Sequence, residues 1–275
     1  MDAILKYPRT QHLQGSRLQK GDEDLSQVPY VELAGRYIVV EEKLDGANSG
    51  IRFDEHANLL LQSRGHYLTG GARERHFNLL KSWAFAQQDA MFDILGSRYQ
   101  MYGEWMYAKH TVFYDRLPHY FLEFDILDTE NGTFLSTAAR EEMLANSPVV
   151  SVPVLYAGVA PKRLEDLLAF IRPSLAKSAQ WKTSLLNAAA HAGVEGERAL
   201  RETEGSDLAE GLYIKVESGR EVTDRLKWVR SDFLQCIADN DSHWHSRPII
   251  VNGLAPEVDL FAPKPVVAWP AARTA

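Results

Sequence analysis

The sequence predicts an α+β fold built on antiparallel sheets, and three observations carry that class. Its strand-like runs are short and β-branched, and its helical periodicity falls in separate blocks. The two alternate without the regular strand-helix beat of a parallel doubly wound sheet. An apolar share of 45% over 275 residues is enough for a packed core. One domain with short extensions is expected.

Residues 37–63 read as a β meander: "YIVVEEKL", "IRF" and "LLLQS", separated by the turn-like "DGANSG" and "DEHAN". From 72 to 96, Phe77, Leu80, Ala84, Met91 and Leu95 recur at helical spacing up to Gly96, so one amphipathic helix is expected. Short strands return at "QMYGEWM" and "YFLEFDILD". Residues 161–192 read as helical pieces broken at Pro173, and "GVEGERALRETEGSD" as a polar loop. A last strand pair, "EGLYIKVE" and "DRLKWVR", precedes a Pro-rich tail that reads as extended and mobile.

The net charge of -7 argues against a protein that binds polyanions with its whole surface, although a local basic groove remains compatible with it. Basic residues gather in 1–20 and 220–230, which alone reads equally as solvated faces. One cysteine, Cys236, excludes an internal disulfide and fits a reducing compartment. No segment reads as a signal peptide or membrane span, so a cytoplasmic protein is expected.

The chemistry centres on "VVEEKLDGAN", residues 39–48. An ordinary lysine has a pKa near ~10.4, so a nucleophilic Lys43 needs desolvation or a nearby positive charge. Strand alternation puts Glu41 on its face and Glu42 on the other. Taken alone, K-x-D-G reads as a lysine at a hairpin turn, with Asp45-Gly46 supplying positive φ. Further charged residues follow within aromatic or branched strands: "SRG" at 63–65, "YGEW" at 102–105, "FLEFDILD" at 121–128, "EGLYIK" at 210–215 and "RLKW" at 225–228.

This ordered set, from about Glu41 to Arg230, resembles the covalent nucleotidyltransferase superfamily of ATP-dependent ligases and messenger RNA capping enzymes. It is most similar to the RNA ligase branch typified by the second RNA ligase of phage T4. The resemblance implies an adenylation-domain fold in which antiparallel sheets, with flanking helices, line an ATP pocket. It makes residues 37–230 that domain, 1–36 a basic N-terminal extension packed on it, and 231–275 a short C-terminal extension. About 45 residues after Arg230 are too few for the oligonucleotide-binding barrel that DNA ligases and capping guanylyltransferases usually carry. Those two activities, and a non-catalytic nucleotide- or RNA-binding module, remain the alternatives.

Residue by residue, the resemblance makes Lys43 the nucleophile that takes AMP from ATP. Glu42 would read the adenine amino group, and Asn48 would lie near ribose and phosphate. Arg64 would contact the nucleotide. Glu104 and Glu210 would hold Mg²⁺ or Mn²⁺, and that cation would leave the Lys43 amine uncharged. Phe124 would stack on adenine, with Tyr213 over its other face where the family has an apolar residue. Lys215, Arg225 and Lys227 would hold phosphates. The implied substrates are RNA ends bearing a 5′-phosphate and a 3′-hydroxyl, joined by a monomer after a kinase or phosphatase has prepared them.

Other motifs have plainer readings. "GHYLTGGARER" lacks the ending of a phosphate-binding loop and reads as a turn. "DNDSHWHS" at 239–246 matches no known calcium or zinc spacing. Trp83, Trp105 and Trp228 read as packing rings. Arg9, His12, Ser16 and Arg17 suit either one wall of an RNA or phosphate groove or a basic arm without a partner.

Overall fold

The computed structural model describes residues 3–18, 22, 24–233 and 248–270. Cys236 and the 239–246 motif lie outside the described residues. The chain opens with β1 (Gln11–Leu13), β2 (Gln27–Val28), β3 (Tyr37–Lys43), β4 (Ala47–Phe53) and β5 (Leu59–Ser63). Helices α1 (Asn78–Ala86) and α2 (Gln88–Leu95) follow, then β6 (Tyr99–Trp105), β7 (Phe121–Asp128) and β8 (Thr133–Leu135). After α3 (Thr137–Leu144), β9 (Val150–Ser151) and β10 (Val154–Val159) come α4 (Leu164–Leu168), α5 (Trp181–His191) and α6 (Gly196–Arg201). The last strands are β11 (Gly211–Ser218) and β12 (Glu221–Val229).

All the strands belong to one mainly antiparallel sheet, whose main path runs β10-β3-β11-β12-β8-β7-β6-β4-β5. It is not flat. β11 and β7 stand three strand spacings apart, roughly 14 Å in a planar sheet, yet Lys215 Nζ on β11 lies 3.2 Å from Asp125 Oδ1 on β7. The sheet therefore curls until its two limbs, β10-β3-β11-β12 and β7-β6-β4-β5, face each other.

The expected meander is corrected by this topology. β4 pairs with β5 and β6, whereas β3 pairs with β10 and β11, so β3 and β4 share no ladder. Leu44–Gly46 is a crossing between limbs rather than a hairpin. Gly46 does not have positive φ. It is required for space: a Cβ there would meet Met106 Sδ at 2.6 Å and the Trp105 carbonyl oxygen at 3.1 Å. Asp45 secures the crossing, its Oδ2 accepting from Thr111 N at 2.7 Å and Val112 N at 2.9 Å.

On β3 and β11, Ile38, Val40, Leu212, Ile214 and Val216 turn to a core completed by Leu33 and Leu167. The alternate residues face the other limb. A larger core lies beneath β4, β6 and β7 and includes Trp83 and Trp105. The expected long helix breaks at Gln87, whose side-chain Nε2 donates to the Phe261 carbonyl. The expected loop after Val194 contains α6, because Glu195 caps it by accepting from Glu197 N and Arg198 N. The tail is anchored over its described length: Asn252 donates to the Met106 carbonyl and accepts from Tyr114 N, and Trp269 Nε1 donates to the Ser151 carbonyl. Among the described residues no helix is long and apolar enough to cross a membrane.

Candidate active site

Lys43 is the last residue of β3, at the point where the chain leaves one limb for the other. The ladder places it opposite Gly211, hence beside Glu210. Gly211 leaves no room for a side chain, since a Cβ would lie 1.9 Å from the Trp228 carbonyl oxygen. Lys43 Nζ lies 2.7 Å from Glu210 Oε1, and the two side chains are 20% and 1% exposed. From the opposite limb, β6 presents Glu104 in register with Asn48 on β4. Lys43, Asn48, Arg64, Glu104, Phe124, Tyr213 and Lys227 all line one cavity between the limbs.

The protein groups alone hold Lys43 charged, whereas the expected uncharged amine was that of a cation-bound site. Burial lowers its pKa, but the Glu210 carboxylate, with Asp45 and Glu104 beyond it, reverses that and raises it above the usual lysine value. Glu104 is pushed up to about 8, first by burial and then by Asp45 and Glu210, against the pull of Lys43 and Arg64. Its Oε2 is buried without a hydrogen-bond partner. Among the described residues no three His, Cys, Asp or Glu side chains form a ready cation cage. Two carboxylates flanking an amine fit instead a hard cation that keeps most of its waters or takes phosphate oxygens.

Phe124 reaches the cavity through a bulge. Tyr102 pairs with Asp125 and Gly103 with Glu123, leaving Phe124 as the extra residue of β7. Its ring lies 6.3 Å from Tyr213, tilted by 46°, so the two form adjoining walls rather than parallel plates. Tyr7 completes this wall: its ring meets Phe124 edge-on at 5.0 Å, and its hydroxyl donates to Asp125 and contacts that of Tyr213.

The remaining predicted residues divide. Lys227 lines the cavity and is paired with Asp22, while Arg64 is exposed at the rim. Glu42 also borders the cavity, although strand alternation turns its side chain to the other face of β3 from Lys43. Its carboxylate accepts from Ser174 Oγ at 2.5 Å and Leu175 N at 3.1 Å, and burial raises its pKa to about 7. Those two donors take one acceptor site on each carboxylate oxygen. Lys215 is 0% exposed, bonded to Glu41 at 2.9 Å and to the Phe124 carbonyl, so it has no access to a phosphate in the cavity. Arg225 stacks at 3.8 Å over Phe134, outside the cavity lining.

Sequence reasoning missed the buried lattice behind the site. Arg140 on α3 binds Glu41 at 2.8 Å and Glu123 at 2.7 Å, while Lys215 joins Glu41 to Asp125. It also missed Tyr7 and Asp22, which with Arg9 and Thr10 close one side of the cavity. The polar run after Pro8 pointed to this segment, but not to Tyr7 before it or Asp22 beyond it.

Comparison with known proteins matches residues 36–229 to the family model described as RNA ligase. No curated protein matches the chain. Among solved structures, a Naegleria gruberi RNA ligase with PPi aligns at TM-score 0.50 and 19% identity, over 76% of this chain and 54% of that one. A mutant of the same ligase, solved with AMP and Mn, aligns at TM-score 0.51 and 18% identity, over 82% and 56%. The chain thus spans about half the length of the solved chains it matches.

Proposed function

The chain belongs to the RNA ligase family, and from that membership we propose that it is an ATP-dependent enzyme joining a 5′-phosphate to a 3′-hydroxyl RNA end through a lysyl-AMP on Lys43. The observation that carries this reading is the Lys43 amine, 2.7 Å from Glu210, at the head of a cavity that also holds Glu104, Lys227 and an aromatic wall. The PPi and AMP held by the solved ligases are the two halves of ATP divided between its α- and β-phosphates.

In the first step the Lys43 nitrogen attacks the α-phosphorus and a phosphorus–nitrogen bond forms. The bond from that phosphorus to the bridging oxygen breaks, and pyrophosphate leaves with the electron pair as the ammonium proton is lost. AMP then passes to the 5′-phosphate of an RNA end, freeing Lys43. Finally the 3′-hydroxyl attacks that end and AMP departs. Phe124 and Tyr213 form the base wall, and Lys227 and Arg64 face the phosphates, where negative charge accumulates. Glu104 and Glu210 would hold Mg²⁺ or Mn²⁺, which would supply positive charge against the phosphates and weaken the hold of the two carboxylates on the Lys43 proton. Residues 37–230 act as the adenylation domain, between the extensions 1–36 and 231–275. The protein works as a cytoplasmic monomer in RNA repair, after a kinase or phosphatase has left the required ends. Placement in the phage-type branch rests on motif order alone.

Incubating the protein with α-labelled ATP and Mg²⁺ or Mn²⁺ tests the reading. Label should stay on the denatured wild type and be absent from Lys43→Ala. A folded wild type that takes label from GTP rather than ATP makes it a capping-type guanylyltransferase. One that binds RNA tightly and takes no label is a binding module.

A further inference from the structure

Asp22 and His12 precede the family-matched region, which begins at residue 36, yet Asp22 lines the cavity of Lys43 and His12 contacts Asp22 from behind. β1 joins β12 in parallel and sets His12 opposite Lys227. The imidazole is wholly buried, with Nδ1 2.7 Å from Ser16 Oγ and Nε2 3.2 Å from Asp22 Oδ2. Ser16 Oγ in turn accepts from Val229 N at 3.0 Å, so the ring is fixed to β12. The Asp22 oxygen that faces His12 also accepts from Lys227 Nζ, and its other oxygen lies 3.3 Å from Arg9.

An exposed ion pair of this kind would contribute little. Here the Lys227 and Asp22 side chains are only 13% and 12% exposed, and the imidazole behind them is sealed. An acid lining a cavity meant for phosphates also works against anion binding unless it does something else. Lys227 has a long flexible stem and three ammonium donors. Asp22 engages one donor of an ammonium that also lines the cavity, leaving two for other acceptors.

We propose that Asp22, oriented by His12, is a positioning residue that holds the Lys227 ammonium toward the cavity it shares with Lys43, so that the phosphate-binding cation is aimed before ATP arrives. This rests on the adenylation reading and adds to it a working part supplied by the N-terminal segment.

Equilibrium ATP binding, measured by calorimetry in a Lys43→Ala background that cannot react, tests the assignment. Asp22→Ala should weaken ATP binding about tenfold when Lys227 is present and have no further effect once Lys227→Ala is introduced. Asp22→Asn, which keeps an acceptor oxygen for the ammonium, should stay within about threefold of the parent. It also serves as the test where Asp22→Ala does not fold. Tighter binding, as expected if Asp22 merely repels phosphate, overturns the proposal. So do unchanged binding on Asp22→Ala, losses that multiply in the double variant, and Asp22→Asn binding more than threefold weaker. If the wild type takes no label from ATP, the adenylation reading falls and this proposal with it. If it labels and ATP binding does not weaken, this proposal alone falls.

Discussion

Two opposed demands meet at Lys43. In its proposed role as nucleophile Lys43 must lose its proton, and the carboxylates around the amine hold that proton on. The balance shows best at Glu104, whose carboxyl is raised to about 8 in the folded protein from an ordinary value of 4.5. Between those values the folded state binds more protons than the unfolded chain, so this group makes stability fall as pH rises through that window. Glu104→Gln should therefore raise the melting temperature, by little below pH 4.5 and by most above pH 8, when both proteins are measured with a chelator. The same change should abolish labelling from ATP. None of this was legible from residue types alone: Lys43, Glu104 and Glu210 are recognisable by motif, but their ionisation depends on how deeply each is buried.

Among the elements, the crossing after β3 and the helix α3 do most to build the site. Gly46→Ala should collide with Met106 and Trp105, costing roughly 1–3 kcal/mol and turning Lys43 away from Glu210. A urea titration would read the first effect and loss of labelling the second. Arg140→Ala should cost about 3–5 kcal/mol by leaving the buried Glu123 carboxylate without its cation and Glu41 with Lys215 alone. Equal urea midpoints for Arg140→Ala and wild type would rule that out. The strands themselves were legible, because alternation such as Ile38-Val40 against Val39-Glu41 is local. Their pairing was not, since β3 meets β11 only through contacts between distant parts of the chain. α3 escaped notice because Arg140, the residue it buries most usefully, reads in sequence as a surface charge.

For the molecule as a whole, an α+β class with a large antiparallel sheet was readable from the rhythm of the sequence, but the curl that makes one sheet into two facing limbs was not. The limbs are joined at their mouth by the N-terminal segment. Its Leu5 carbonyl accepts from Gln62 Nε2 and Tyr102 Oη on one side, and β1 pairs with β12 on the other. Tyr7→Ala should remove a ring packed between Tyr102, Phe124 and Phe134 and cost roughly 2–4 kcal/mol, measurable by thermal melting. The described tail is anchored for a similar reason, since polar groups such as Asn252 find buried partners that no local pattern announces.

The contact between Asp22 and Lys227 spans 205 positions of the chain. Such a closure comes late when a polypeptide is assembled from its amino end at about 5–20 residues per second. On the ribosome, Asp22 must wait on the order of ten seconds for Lys227 to be made. Until then the nascent chain carries Asp22 and Lys43 without Glu210 or Lys227, so the pocket is completed only when β11 and β12 emerge.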